Sequence, residues 1–150
     1  MKRHISFILL TMVLLVLAGC GKKSEVVVSE LTTALLENVS FSEQLTQIDK
    51  ENIENRYSLN SKDFSEITAF VGTASVCDEC VIVKTESPEA MKGKLEKYIE
   101  NKRKIYEEYR PGEVYKLDNP VIEIYKDAVV MIIADDREGA MKAYEQYLKK

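Results

Sequence analysis

The sequence predicts an α+β domain: N-terminal helices, then two β-hairpin/helix units whose four strands form one antiparallel sheet with the helices packed on one face. Three observations predict it. Apolar residues recur at helical spacing near the start of the domain, two pairs of short strand-like runs follow, and each pair leads into a long amphipathic stretch. The 150 residues, 45% hydrophobic and 31% charged, can build one core and not several.

The first element is no part of that core. Lys2 and Arg3 precede an apolar run from Ile5 to Ala18 broken only by Ser6 and Thr11. Those 14 residues fall short of the roughly 20 that cross a bilayer as a helix, and a charged start before them marks an export signal. The run ends in Leu17-Ala18-Gly19-Cys20, which resembles the lipobox of bacterial lipoproteins. That resemblance implies cleavage before Cys20 and acylation of its thiol, so residues 1–19 read as a lipoprotein signal peptide and 20–25 as the lipidated Cys with a short tether. The alternative, a plain secretory signal, leaves Cys20 an unpaired thiol in an oxidising space.

Residues 26–150 are then the single domain. Val27, Leu31, Ala34, Leu35 and Asn38 keep helical spacing and predict a helix over 26–38. Asp49 is placed to cap a second, shorter helix with Ile48, Ile53 and Tyr57 inward, ended by Asn60 and Ser61. Ile67, Ala69 and Val71 alternate with Glu66, Thr68 and Phe70, the period of a half-buried strand; residues 80–85 are its partner and 72–78 the connection. Ser87-Pro88 starts a long helix, by the Ser oxygen accepting orphan amide protons and by Pro at a position that loses no bond. Its stripe of Met91, Leu95, Tyr98, Ile99, Tyr106 and Tyr109 is interrupted by Lys102, and Pro111-Gly112 stops it. On its outer face Glu100 with Lys104, and Arg103 with Glu107, stand four residues apart. Residues 121–125 and 129–134 form a second hairpin around Lys126 and Asp127. Asp135 or Asp136 caps a last helix with Ala140, Met141, Tyr144 and Leu148 inward. Residues 81–98 and 131–148 share this order of elements, with Ile82 matching Ile132 and Ala90-Met91-Lys92 matching Ala140-Met141-Lys142. A duplication and coincidence on a common architecture explain that equally well.

Cleavage before Cys20 removes Lys2, Arg3 and His4 and no acidic residue, leaving 19 basic against 25 acidic side chains and a net charge of about −6. Such a domain is a poor partner for nucleic acid, which needs a basic face. Anionic lipid repels it as well, so attachment falls to the acyl chains, at about 0.8 kcal/mol per buried methylene, with only Lys22 and Lys23 near the headgroups. The mature chain also has no His, which excludes Ser-His-Asp and Cys-His catalysis and the common zinc sets. Its glycines are too scattered for a phosphate loop, and no cofactor or metal is expected.

One stretch looks like a motif, Cys77-Asp78-Glu79-Cys80. Two Cys at this spacing are a thiol–disulfide pair, half of a metal site or a small structural disulfide. Reactive pairs sit at a helix start, where amide dipoles stabilise thiolate; this pair precedes a strand and encloses two acids. A tetrahedral soft site wants four ligands, two more than the domain offers. A bridge needs a turn, because residues 77 and 80 in extended chain stand about 10 Å apart against the roughly 4.4–6.8 Å a disulfide spans. Glu107-Glu108 and Asp135-Asp136 read as a solvated helix end and a helix cap in preference to acid–base pairs. Tyr98, Tyr106, Tyr109, Tyr115 and Tyr125 are a candidate binding surface, lining a groove between the long helix and the second hairpin; core packing with hydroxyls at the surface is the preferred alternative.

Five features together resemble a known family. They are the lipobox, Tyr57 before Asn60-Ser61, Asp78-Glu79 entering Val81-Ile82-Val83-Lys84, a long charged helix ending in Tyr109-Arg110-Pro111, and Asp118-Asn119-Pro120-Val121 before the second hairpin. They resemble the clostridial lipoproteins classed as domain of unknown function 4358, over about residues 28–148. The resemblance implies no activity, cofactor or catalytic residue. It also implies non-Cys residues beside the Asp-Glu pair, where this chain has Cys77 and Cys80, which speaks against a shared redox role.

The expectation is therefore an exported Gram-positive lipoprotein, held to the outer face of the cytoplasmic membrane by membrane lipid on acylated Cys20. It is expected to be no enzyme and to bind an envelope protein or peptide, not nucleic acid. The alternative is a thiol–disulfide or metal-linked protein using Cys77 and Cys80. A transporter's binding subunit is disfavoured, since 131 residues leave little room for two lobes around a ligand.

Overall fold

The computed structural model describes residues 25–149. The expected signal peptide, Cys20 and nearly all of the tether lie outside the described residues.

Helix α1 spans Val28–Asn38, two residues shorter at its start than the spacing predicts, and buries Leu31 and Leu35 completely. A two-residue strand, β1 (Thr46–Gln47), precedes helix α2 (Lys50–Tyr57). Asp49 caps α2 as expected, its carboxylate accepting the Asn52 amide at 2.9 Å. Ser58, left-handed at φ 52°, ends the helix before Asn60 and Ser61 are reached. Strands β2 (Glu66–Val71) and β3 (Glu79–Lys84) follow, then the 22-residue helix α3 (Pro88–Tyr109). Pro88 takes the first helical turn as read from the sequence, but the Ser87 hydroxyl makes no capping bond; the Thr85 hydroxyl instead accepts the Ser87 amide at 3.2 Å. Past Arg110 the chain tightens into a 3-10 turn (Pro111–Glu113) and a five-residue helix, α4 (Val114–Asp118). Strands β4 (Val121–Tyr125) and β5 (Ala128–Ile133) meet at a turn where Lys126 sits at φ 56°. Helix α5 (Arg137–Leu148) is capped by Asp136, which accepts the Gly139 amide at 2.9 Å.

The architecture is α+β, with two corrections to the sequence reading. The antiparallel sheet has five strands, in the order β1-β2-β3-β5-β4, and not four. The extra strand is β1, which pairs Thr46 with Val71 and Gln47 with Phe70 and is too short to leave an alternating signal. Helices cover both faces and not one. On one side α1 and α5 pack over Cys80, Ile82, Val130 and Ile132; on the other α2, α3 and α4 pack over Val81, Val83, Val129, Met131 and Ile133. The physical reason is visible in β5, whose six residues, Ala-Val-Val-Met-Ile-Ile, are all buried, and in β3, buried at its first five positions. A strand apolar on both sides needs cover on both sides. β3 and β5 do pair at the centre of the sheet, Val81 opposite Met131, yet both of those residues face α3 while α5 lies across the sheet. The two apparent repeats therefore differ in which face their helix covers.

Candidate functional site

At the end of the sheet where the 72–78 connection enters β3, two acidic residues, Asp78 and Glu79, are completely buried. A buried carboxylate is tolerated only when paired and hydrogen-bonded. Each of these two has its own lysine.

Glu79 is held from α2 and α3. The Lys102 ammonium donates to Oε1 at 2.6 Å and the Tyr98 hydroxyl to the same oxygen at 2.7 Å. The Tyr57 hydroxyl donates to Oε2 at 3.0 Å, and the Arg56 guanidinium donates to Oε1 through Nε at 3.1 Å and through Nη2. Tyr98 and Lys102 stand one helical turn apart, so the same face of α3 supplies both. Tyr57 and Tyr98 meet edge to face with ring centres 4.6 Å apart. Burial, and then the Glu79 charge, push both phenols well above the ordinary range, so they keep their protons. Burial opposes the charge on Arg56, but Glu79 outweighs it and holds the guanidinium above its ordinary value.

Asp78 is held from α4 and from the segment before β1. The Lys116 ammonium donates to Oδ1 at 2.8 Å and the Ser42 amide to Oδ2 at 2.6 Å. Lys116 also reaches Glu113 at 2.8 Å, the Ser42 hydroxyl at 2.7 Å and Asp135 at 3.1 Å. Burial works against its charge, yet the bonds to Asp78, Glu113 and Asp135 prevail and raise it above the ordinary lysine value. The Ser42–Lys116 contact resembles a nucleophile beside a base, but a lysine base must be neutral and this one is held charged. Glu113 is drawn upward by burial and, more strongly, downward by Lys116 and by the Cys77 amide at 3.0 Å, ending below its ordinary range.

The ligand atoms of Cys77, Asp78 and Glu113 lie within 4.8 Å of one another, a spacing a metal ion could use. The chemistry does not fit one. The Lys116 ammonium already stands 2.8 Å from both carboxylates, and burial pushes the Cys77 thiol up to about 12, so no thiolate is offered.

The two cysteines of the sequence motif are not brought together. Both are free and fully buried, Cys77 in the core under α3 and Cys80 in the core under α1 and α5, with the sheet between. Burial lifts the Cys80 thiol to about 12 as well. Among the paired acids, Asp136 is the helix cap expected, Asp135 joins the Lys116 cluster, and Glu107 pairs with Arg103 on the surface.

Above the Glu79 cluster opens a groove of about 860 Å³. It does not lie between the long helix and the second hairpin, as the tyrosines suggest from sequence. It lies between α3, the end of α2 and the segment 72–74. Tyr98, Tyr106 and Tyr109 line it. Tyr106 is anchored by donating to the Val76 carbonyl at 2.8 Å, while Tyr109 is 74% exposed. Tyr115 instead hydrogen-bonds Asp135, and Tyr125 packs edge-on against Tyr147 with ring centres 6.4 Å apart, at a part of the molecule the groove does not include. Next to Tyr109, one turn back on α3, Ile105 is 57% exposed. No acidic residue is among those that line the groove, although the whole chain carries a net charge of −4.

Sequence reasoning missed Ser42, Arg56, Lys102 and Lys116 as partners of the two buried acids, and Glu113, which shares Lys116 with Asp78. One signal was available, a lysine interrupting the apolar stripe of a helix in a chain that also carries an acidic pair at the head of an apolar strand.

Residues 37–134 match the family described as Domain of unknown function (DUF4358). No curated protein and no solved structure matches the chain. The match covers most of the sequence, and the chain belongs to that family.

Proposed function

We propose that this member of the DUF4358 family is a non-enzymatic binding domain, tethered outside the cell through acylated Cys20, whose groove along α3 receives an envelope protein or peptide. One observation carries the reading. Ile105 and Tyr109 stand exposed side by side in the same groove as Lys97 and Arg110, which have no acidic partner among the described residues, while the charges of Lys102 and Glu79 beneath them are engaged. Exposed apolar groups gathered in a concave, cationic site mark a place where something docks. The groups beneath the groove and in the neighbouring cluster and cores are poorly suited to proton transfer or nucleophilic attack. Lys116 is held charged, Tyr57 and Tyr98 hold their protons, and both thiols sit far above neutral pH. The same separation and burial of Cys77 and Cys80 count against the thiol–disulfide alternative.

Two measurements on living cells test this. Radiolabelled palmitate is expected to enter the full chain and to be lost in Cys20→Ala; label retained by the variant removes the anchoring. A photo-crosslinking residue placed at Tyr109 is expected to give a discrete adduct that the same residue at Arg137, exposed beyond the opposite face of the sheet, does not give. Equal adducts from both positions, or none from either, remove the groove.

A further inference from the structure

We infer that the occupant of the groove is an acidic peptide segment that carries an apolar side chain between its carboxylates; this rests on the groove being the binding site. Charge is the first argument. Lys102 is spent on Glu79, and Lys94 pairs with Asp63 at 2.6 Å. That leaves Lys97 and Arg110 without acidic partners among the described residues. Arg56 adds to them. It binds Glu79 through Nε and Nη2, its Nη1 has no partner among the described residues, and its side chain is 37% exposed. The groove therefore presents uncompensated positive charge in a chain whose net charge is −4, which selects an anionic partner.

Spacing is the second argument. Lys97 and Arg110 are 13 residues apart along α3 and its end, about 20 Å at 1.5 Å per residue, which an extended peptide of about six residues spans. A single phosphate or carboxylate cannot touch both. Between them lie Ile105 and Tyr109, so a polymer of sugars and phosphates would leave apolar surface uncovered where a peptide would bury it. Carboxylates toward the two cations and an apolar side chain against Ile105 and Tyr109 match the charged and apolar groups that the rim leaves open.

The test uses the full chain and three labelled eight-residue peptides read by fluorescence anisotropy. One has Glu pairs flanking a central Leu-Phe, one replaces the Glu by Lys, and one replaces Leu-Phe by Ser-Ser. The first is expected to bind, more tightly at low salt, and the other two to bind at least about tenfold more weakly. Lys97→Glu with Arg110→Glu is expected to weaken the first peptide about tenfold or more, and Ile105→Ser with Tyr109→Ser by a similar factor. All four positions are exposed, so unchanged unfolding midpoints verify that the variants fold. Binding of the Lys peptide as tight as that of the Glu peptide, or binding indifferent to both double variants, overturns the inference. If the Lys peptide binds as tightly and Ile105→Ser with Tyr109→Ser abolishes that binding, the groove stands as a site and only the acidic class falls; if the Ser-Ser peptide binds as tightly as the first, it is the apolar side chain that falls. If no peptide binds, the inference falls, and the Tyr109 crosslink then decides whether the groove falls with it.

Discussion

The floor and the rim of the groove are built from successive residues of one helix and follow opposite rules. Tyr98, Lys102 and Tyr106, one turn apart, point down, and each polar tip has a protein partner: Glu79 for the first two and the Val76 carbonyl for the third. Lys97, Asn101, Ile105 and Tyr109 form the neighbouring row, and they are exposed at the groove. A step of one residue turns the helix by about 100°, and that step separates groups that hold the fold from groups left open to a partner. Clamp and binding surface can therefore be altered independently, although they share an element. The difference also explains how a groove lined by five basic residues is compatible with a stable fold, because the most deeply placed of them, Lys102, neutralises a buried acid.

The largest expected effect comes from breaking the floor. Glu79→Leu strands Lys102 and Arg56 over an apolar site, and removing one partner of a buried ion pair costs about 3–5 kcal/mol. Lys102→Met is expected to cost less, about 2–3 kcal/mol, because Glu79 keeps Arg56, Tyr57 and Tyr98. The double variant Glu79→Leu with Lys102→Met should cost clearly less than the sum of the two, since the pair then leaves together. Urea unfolding midpoints measure all three. Additive losses, or a Glu79→Leu cost below about 1 kcal/mol, would mean that the cluster is not the clamp its geometry describes.

The second effect is a loss of stability in acid, traced to the other lysine. Burial raises Glu113 while Lys116 and the Cys77 amide lower it further, and the net shift is below its ordinary 4.5. Asp135 is lowered from 3.8, chiefly by the Tyr115 hydroxyl, against burial and with help from Ser42 and Lys116. A carboxylate with a depressed folded pKa contributes stability that is present above its unfolded pKa and is lost as pH falls through the folded one. Unfolding midpoints should therefore hold steady down to about pH 5 and decline below about pH 4.5. Glu113→Gln should make that decline shallower. A midpoint that rises on acidification would contradict the sign of both shifts.

Thiol chemistry sharpens the contrast from a third side. Cys77 and Cys80 are buried and lifted from 9.0 to about 12. At pH 8 their alkylation should wait on unfolding and run on the order of a thousandfold slower in native chain than in urea. Cys20→Ser isolates the two. Rapid native reaction of either, or a Cys77–Cys80 bridge found by mass spectrometry after mild oxidation, would restore the redox alternative that their separation by the sheet opposes.

The fold was legible where the signals were local. Pro88 and Pro111-Gly112 bracket α3 at the observed ends, Asp49 and Asp136 cap α2 and α5, and 121–125 is β4 to the residue. What escaped was set by distant partners. Two-sided burial of β3 and β5 was written in their unbroken apolar runs, but alternation in β2, buried deeply only at Ala69 and Val71, suggested a sheet with one wet face. The acidic pair was visible, yet its partners come from 19 to 38 residues along the chain in either direction, and no spacing rule links Arg56 or Lys116 to it. Lys102 looked like a flaw in an apolar stripe; a lysine there is affordable only because Glu79 lies beneath it. The tyrosines were read as one set, but exposure and position divide them into groove, Lys116 cluster and β4 edge.

The smallest effect belongs to the rim, and it is the one that most directly tests whether clamp and binding surface are separable. Ile105→Ser and Tyr109→Ser remove side chains that are 57% and 74% exposed. Neither belongs to either core cluster, and both lie within α3, where serine has about the same helix propensity as isoleucine and tyrosine. Each should shift stability by no more than about 0.5 kcal/mol, with the thermal midpoint moving by a few degrees at most. The same substitutions are expected to weaken peptide binding about tenfold. A variant that loses binding while its midpoint stays put can have lost only surface contacts. If Ile105→Ser instead unfolds the chain as readily as Lys102→Met, the row facing the solvent is carrying the fold, and the one-residue division of α3 is not the organising feature of this site.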